Sequence, residues 1–206
     1  MSDEKQQKSD RNRLSGLGAL ILVVGPSGVG KDTMVGGAKA IVAPSQRFFF
    51  PARSITRPSD AGGEDHIATT EAEFQARESS GDFLLSWRAH GLCYGISKET
   101  TDVARRHGQA VIVNVSRGVL DYARNRLQPL RIISVAASAD LIRTRLQARG
   151  REDAADIEAR IARASDYDVS GGDVISILND GSPEDGIARM VEALEIASSM
   201  EWNPAE

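Results

Sequence analysis

One nine-residue run, Gly25-Pro26-Ser27-Gly28-Val29-Gly30-Lys31-Asp32-Thr33, has the residue types and spacing to hold a chain of phosphates. It is a Gly-x4-Gly-Lys loop. Its glycines let successive backbone N–H groups turn inward around phosphate oxygens, and a helix starting there adds its partial positive charge. Lys31 supplies a point charge for the β and γ phosphates. The residue after the lysine departs from the pattern: the motif has Ser or Thr there, whose hydroxyl meets magnesium, and this chain has Asp32. A carboxylate is a good ligand for a hard cation, so Asp32 binds the ion directly or through water, or Thr33 takes over with a small shift. The plain alternative is that Asp32 only favours the helix N-terminus. Further along, Arg145 and Arg149 stand four apart on one helix face. A lid carrying them would offset charge on a transferring phosphoryl group, although an arginine stripe is equally the mark of a solvated face.

The elements that must place these groups follow from the apolar pattern. Ala19 to Val24 is a short branched run closed by Gly25-Pro26, which predicts a buried central strand. A helix from Asp32 to Val42 follows, ended by Pro44. Arg47 to Phe50 and Phe83 to Trp87 read as further strands, and Arg53 to Gly63 reads as a loop. Thr70 with Glu73 forms a capping box opening a helix to Glu78. Two more buried strands, Ala110 to Val115 and Leu130 to Ala136, flank a helix at about 118–126. After Ser138 comes an arginine-rich helix to Gly150, then a helix from Asp153 to Ser165, a strand from Val174 to Leu178, and a last helix capped by Ser182 with Pro183 at its first position. Strands alternating with helices predict an α/β, doubly wound P-loop NTPase fold: a central parallel sheet of about five strands flanked by helices.

Composition sets the limits. The chain has 206 residues, enough for one domain with a large core. Its net charge of −4 disfavours a globally basic nucleic-acid binder, so an anion site must be local. The single cysteine, Cys93, rules out an internal disulfide and a thiolate-built zinc site, and fits a reducing cytoplasm. No apolar run approaches the roughly 18 residues needed to span a membrane. Residues 1–15 and 201–206 read as tails, the first disordered. The exposed ends of a small α/β domain permit a homodimer.

A phosphate loop alone leaves kinase, GTPase and ATPase open. The chain has no base-reading Asn-Lys-x-Asp segment, and the strand from Ala110 ends at Asn114 rather than at a metal-binding aspartate. Four pieces then carry a resemblance to the guanylate kinase superfamily of nucleoside monophosphate kinases, from about Gly18 to Met200: GPSGVGKD at 25–32, SITRP at 54–58, Trp87 to Gly95, and RLQARG at 145–150 with Arg160. The resemblance implies a nucleoside monophosphate kinase-like fold. It also implies an acceptor-binding insert at about 51–96 and a mobile lid at about 143–165. Arg145, Arg149 and Arg160 become catalytic lid arginines beside Lys31, and Arg57 and Tyr94 hold the acceptor's phosphate.

The departures refine this. The family's guanine-reading glutamate is Ser86 here, its second acceptor arginine is missing, and its Asp-Tyr pair is Asp65-His66. With GPSGVGKD, ITRP, AGGEDH and SWRAHGLCYGI, the chain is similar to the ribose 1,5-bisphosphate phosphokinases of phosphonate catabolism. That likeness implies ATP with Mg2+ as the donor, and a small sugar bisphosphate as the acceptor, converted to 5-phosphoribosyl 1-diphosphate. Two anion sites and some hydroxyl donors are then required. Arg53, Arg88, Arg117 and His66 are the candidates for anion contacts, and Asp65, Asn114 and His90 for ribose hydroxyls, with Ser54 counted among the substrate contacts. A plain guanylate kinase, a non-catalytic phosphopeptide-binding module and a regulatory ATPase are the competing readings.

Overall fold

The structure is a computed structural model and describes residues 16–60, 65–149, 153–165 and 169–200, without the side chains of 149, 160 and 163–165. The tails at 1–15 and 201–206 therefore lie outside the described residues. The main sheet contains β1 (Leu20–Val24), β2 (Phe48–Phe49), β7 (Ala110–Asn114), β8 (Leu130–Ala136) and β9 (Val174–Leu178), in the order β2-β7-β1-β8-β9. All its pairings are parallel. The five strands expected in one parallel sheet are present.

A second sheet, β4-β3-β6-β5, comes from β3 (Arg53–Ile55), β4 (His66–Ala68), β5 (Phe83–Ala89) and β6 (Leu92–Ser97). Here the sequence reading needs correcting: the loop expected at 53–63 contains a strand. Arg53-Ser54-Ile55 is too short and polar to announce itself, and it is extended because β6 and β4 pair with both its edges. The hairpin β5–β6 turns at His90-Gly91, both with positive φ (52° and 73°), the conformation a two-residue hairpin turn requires.

Helix α1 (Lys31–Val42) follows the phosphate loop, α2 (Glu71–Ser79) opens with the expected Thr70/Glu73 capping box, and α3 (Lys98–Arg106) follows β6. Then come α4 (Leu120–Arg126), α5 (Ala139–Arg149), α6 (Ala154–Ser165) and α7 (Pro183–Ser199), the last with a reciprocal Ser182/Asp185 cap. Among the described residues no helix is long and apolar enough to cross a membrane.

Alternation along β1 explains how the layers are placed. Ile21 and Val23 point into a core with Met34 and Ala38 of α1, Met190 and Leu194 of α7, and Ile142, Leu146, Ile157 and Ile161 of α5 and α6. Leu20, Leu22 and Val24 point the other way, into a core with Val113, Leu85, Trp87 and Ile96. The second sheet is thus seated on the opposite face from the α1/α7 layer. Both halves meet at the carboxyl ends of β1 and β7, where open α/β sheets bind their ligands.

Candidate functional site

The phosphate loop is shaped by what its glycines exclude. A Cβ on Gly25 would lie 2.3 Å from the Val135 carbonyl oxygen, and one on Gly30, at φ +93°, 2.8 Å from Asn179 Nδ2. Val29 has a different part: its side chain is fully buried in the α1/α5 core, so it can offer a phosphate only its backbone. Its carbonyl accepts from Asn179 Nδ2 (2.7 Å) and from Arg145 Nη1 (3.1 Å), pinning the crest of the loop. Lys31 Nζ donates to the carbonyls of Gly25 (2.6 Å) and Pro26 (2.8 Å), which keeps the ammonium against the loop it serves.

Asp32 and Thr33 are exposed in the first turn of α1. The Asp32 carboxylate is not isolated: Oδ1 accepts from Asn114 Nδ2 at 2.6 Å. Asn114 ends β7 beside Val23 of β1, and its backbone carbonyl accepts from Arg53 Nη1 at 3.0 Å. The Arg53 guanidinium lies 5.4 Å from the centre of the Tyr94 ring, which stacks on Trp87 with centroids 5.3 Å apart and planes within 4°. Asp32, Asn114, Arg53 and Tyr94 therefore form one chain of contacts from the phosphate loop into the second sheet.

Thr56 fixes the exit from β3: its N–H donates to the Cys93 carbonyl (3.1 Å) and its hydroxyl accepts from the Cys93 N–H (2.8 Å). Arg57 follows at once. Its Nη2 meets His66 Nδ1 at 3.3 Å, and His66 Nε2 meets the Arg57 carbonyl at 3.1 Å. A neutral imidazole with its proton on Nε2 satisfies both contacts, accepting at Nδ1 and donating at Nε2. Arg57 Nε is buried with no partner among the described residues, which leaves it donor capacity.

Other expected residues stand elsewhere. Ser54 is 1% exposed on the face of the second sheet opposite Arg53 and Tyr94, beneath α2, where its hydroxyl accepts from Arg77 Nη1 at 3.0 Å. Strand alternation sets it on the other face from Arg53 and Tyr94, the face that also carries Ser86, which is paired with Gly95 as Ser54 is. Arg88 forms an ion pair with Glu78 at 2.8 Å, and Ser86 Oγ donates to the same carboxylate at 2.7 Å. These hydrogen bonds, that from Arg88 first, hold the Glu78 carboxyl below its ordinary range. Asp65 is exposed at the edge of β4, Arg117 is exposed three residues beyond Asn114, and His90 occupies the hairpin turn.

Of the three arginines expected on a lid, Arg145 is on the Val29 carbonyl, while the side chains of Arg149 and Arg160 lie outside the described residues. Arg143 ties α5 and α6 together: it binds Glu158 of α6 through Nε (2.7 Å) and Nη2 (3.1 Å) and Asp140 of α5 through Nη1 (2.7 Å). Sequence reading missed Arg143, Asn179 and Arg77. The Leu178-Asn179-Asp180 strand end was the available signal for Asn179, since polar residues at the carboxyl ends of such strands face the ligand crevice.

Comparison with known proteins gives the chain's family and fold. The family model described as guanylate kinase matches residues 18–195. A ribose 1,5-bisphosphate phosphokinase of Desulfomicrobium baculatum is 44% identical over 162 residues, covering 79% of this chain and 86% of that protein. A bifunctional ribose 1,5-bisphosphokinase-thymidine phosphorylase of Cupriavidus pinatubonensis is 40% identical over 177 residues, 86% of this chain; the chain spans only 29% of that relative's length. The crystal structure of guanylate kinase from Anaplasma phagocytophilum shares the fold, with a TM-score of 0.62 at 16% identity over 89% of this chain and 88% of that one. Matched along nearly all of its described length, the chain belongs to the guanylate kinase family.

Proposed function

We propose that the chain transfers the γ-phosphoryl group of ATP to the 1-phosphate of ribose 1,5-bisphosphate, giving 5-phospho-α-D-ribose 1-diphosphate and ADP. An oxygen of the acceptor phosphate forms the new bond to the γ-phosphorus as the bond to the β–γ bridging oxygen breaks, and ADP leaves with that electron pair. The acceptor oxygen is already ionised near neutral pH, so no general base is needed. Catalysis reduces to alignment and to stabilising charge.

Within that reading the residues divide by position. The loop amides from Gly25 to Gly30 and the Lys31 ammonium bind the donor's phosphates. Arg53, Arg57 and Tyr94 grip the acceptor, with His66 behind Arg57. Arg149 and Arg160 serve as lid arginines on the family pattern, and Arg117 is available at the rim. The hard oxygens of Asp32 and Thr33 suit Mg2+. Among the described residues no group of three or more His, Cys, Asp or Glu side chains could hold a metal alone, so these two would share the ion with nucleotide phosphates and water. When bound, the ion neutralises charge on the β and γ oxygens. The buried Cys93 thiol fits a reducing, cytoplasmic setting.

The observation that carries the choice of acceptor is at Ser86. The carboxylate that reaches this strand position, Glu78, is already occupied by the Ser86 hydroxyl and by Arg88. It is committed before any guanine N1–H or exocyclic amine could use it, and a site lacking that acceptor rejects the base strongly. Coupled ADP release with ATP and Mg2+, comparing ribose 1,5-bisphosphate, ribose 5-phosphate, GMP and water, tests the reading. Release should be fastest with the bisphosphate; faster release with GMP would replace this acceptor with guanylate.

A further inference from the structure

Two departures from the usual phosphate-loop pattern touch each other in space. That pattern places a hydroxyl after the loop lysine and an aspartate at the end of a neighbouring strand, the two together holding the metal. This chain has a carboxylate after the lysine, Asp32, and an amide at the end of the neighbouring strand, Asn114. Although 82 positions apart in sequence, they meet at 2.6 Å, with Asn114 Nδ2 donating to Asp32 Oδ1. We infer that they are an exchanged pair: the carboxylate of the metal site has moved from β7 to α1, and Asn114 has become a positioning residue that holds it.

The chemistry of the contact supports the exchange. An aspartate at 114 would set two anions in contact beside a triphosphate, a repulsion that an amide removes while donating a hydrogen bond. The Asn114 amide engages one carboxylate oxygen and restricts rotation of the Asp32 side chain, the part an outer partner plays for a metal ligand. Asn114 is itself anchored, because its carbonyl accepts from Arg53. The number of carboxylates at the site is the same as in the usual pattern, so the charge presented to Mg2+ is unchanged.

This inference rests on the nucleotide-binding part of the proposed function and is independent of the acceptor. Its test is calorimetric titration of the whole chain with ATP, with and without Mg2+ and with no acceptor present. Asp32→Ser should remove about tenfold or more of the magnesium-dependent gain in ATP affinity. Adding Asn114→Asp to Asp32→Ser should restore the gain to within about threefold of the parent. A double variant no better than Asp32→Ser, or an Asp32→Ser variant with undiminished magnesium dependence, overturns the exchange. Melting temperatures check that each variant is folded. If the double variant is not, the cycle of Asp32→Ala and Asn114→Ala decides: a double loss equal to that of Asp32→Ala alone supports the pair, and fully additive losses overturn it. Failure of ribose 1,5-bisphosphate as acceptor would leave these binding results untouched.

Discussion

The His66 imidazole holds Arg57 at two points, meeting Nη2 of its guanidinium at 3.3 Å and its backbone carbonyl at 3.1 Å. The second contact locks the residue's main chain and the first aims its charge, so in the proposed reaction His66 would act on the acceptor through Arg57. His66→Ala should raise the acceptor KM about tenfold, the worth of one charge-assisted hydrogen bond, and leave kcat within about threefold. His66→Gln, which keeps an acceptor and a donor on one side chain, should recover part of the loss. Steady-state kinetics over acceptor concentration read this out; equal falls in kcat and melting temperature would make His66 merely structural.

Arg145, which a lid would bring to the transferring phosphoryl group, donates in this structure to the carbonyl of Val29 at the crest of the phosphate loop. Asn179 supports the same oxygen. Losing one of two donors to a part-buried carbonyl is worth about 1 kcal/mol. Arg145→Ala should therefore weaken ADP binding about fivefold, measured by titration without acceptor. A large fall in turnover with unchanged nucleotide affinity would assign Arg145 to the transferring group.

The main sheet was legible because its central strands β1, β7 and β8 are short, branched and largely buried on both faces, a pattern that periodicity and flanking turn residues reveal. The phosphate loop was legible because its chemistry is contained in nine consecutive residues. The second sheet was not, because β3 and β4 are three residues each and are extended only through the partners that flank them. The site suffered for the same reason. Arg53, Arg57 and Tyr94 could be nominated by type, but which side of β3 faces the cleft depends on a strand that sequence read as a loop. That Ser54 shares a face with Ser86 and not with Arg53 is invisible without that alternation, and the contact between Asp32 and Asn114 spans too much sequence for any spacing rule.

Glu78 makes a pH-dependent contribution to stability whose sign can be worked out. Its carboxyl is held below its ordinary value of 4.5, first by the hydrogen bond from Arg88 and then by that from Ser86. A carboxylate with a depressed folded-state pKa stabilises the fold above its unfolded value and loses that contribution as pH falls through the folded one. Glu78→Gln should lower the melting temperature at pH 7 by about 2 °C, since the pair is largely solvent-exposed. The gap from the parent should close below pH 4.5. A gap that stays constant across acid titration would show that the ion pair does not contribute.

Arg105 lies far from this chemistry in role yet holds the sheet's other end together. Its side chain is 4% exposed, and it donates through Nε to the Gly18 carbonyl (2.8 Å) and through Nη2 to those of Gln128 (2.8 Å) and Pro129 (3.2 Å). These three carbonyls belong to the chain leading into β1 and β8, so one guanidinium fixes the entry of both central strands. Burial lowers its pKa to about 10, well below the ordinary guanidinium range. The charged form is thus disfavoured by the fold relative to the unfolded chain, and this group's contribution to stability should rise as pH climbs above about 10, where the unfolded chain binds more protons. The hydrogen bonds outweigh that penalty near pH 7, because without them the buried carbonyls have lost water and gained nothing. Arg105→Ala should destabilise by about 2–4 kcal/mol in urea unfolding at pH 7, with the nucleotide affinity of the folded fraction unchanged. A variant as stable as the parent would mean that water reaches those carbonyls and that the arginine is not what orders the two strands.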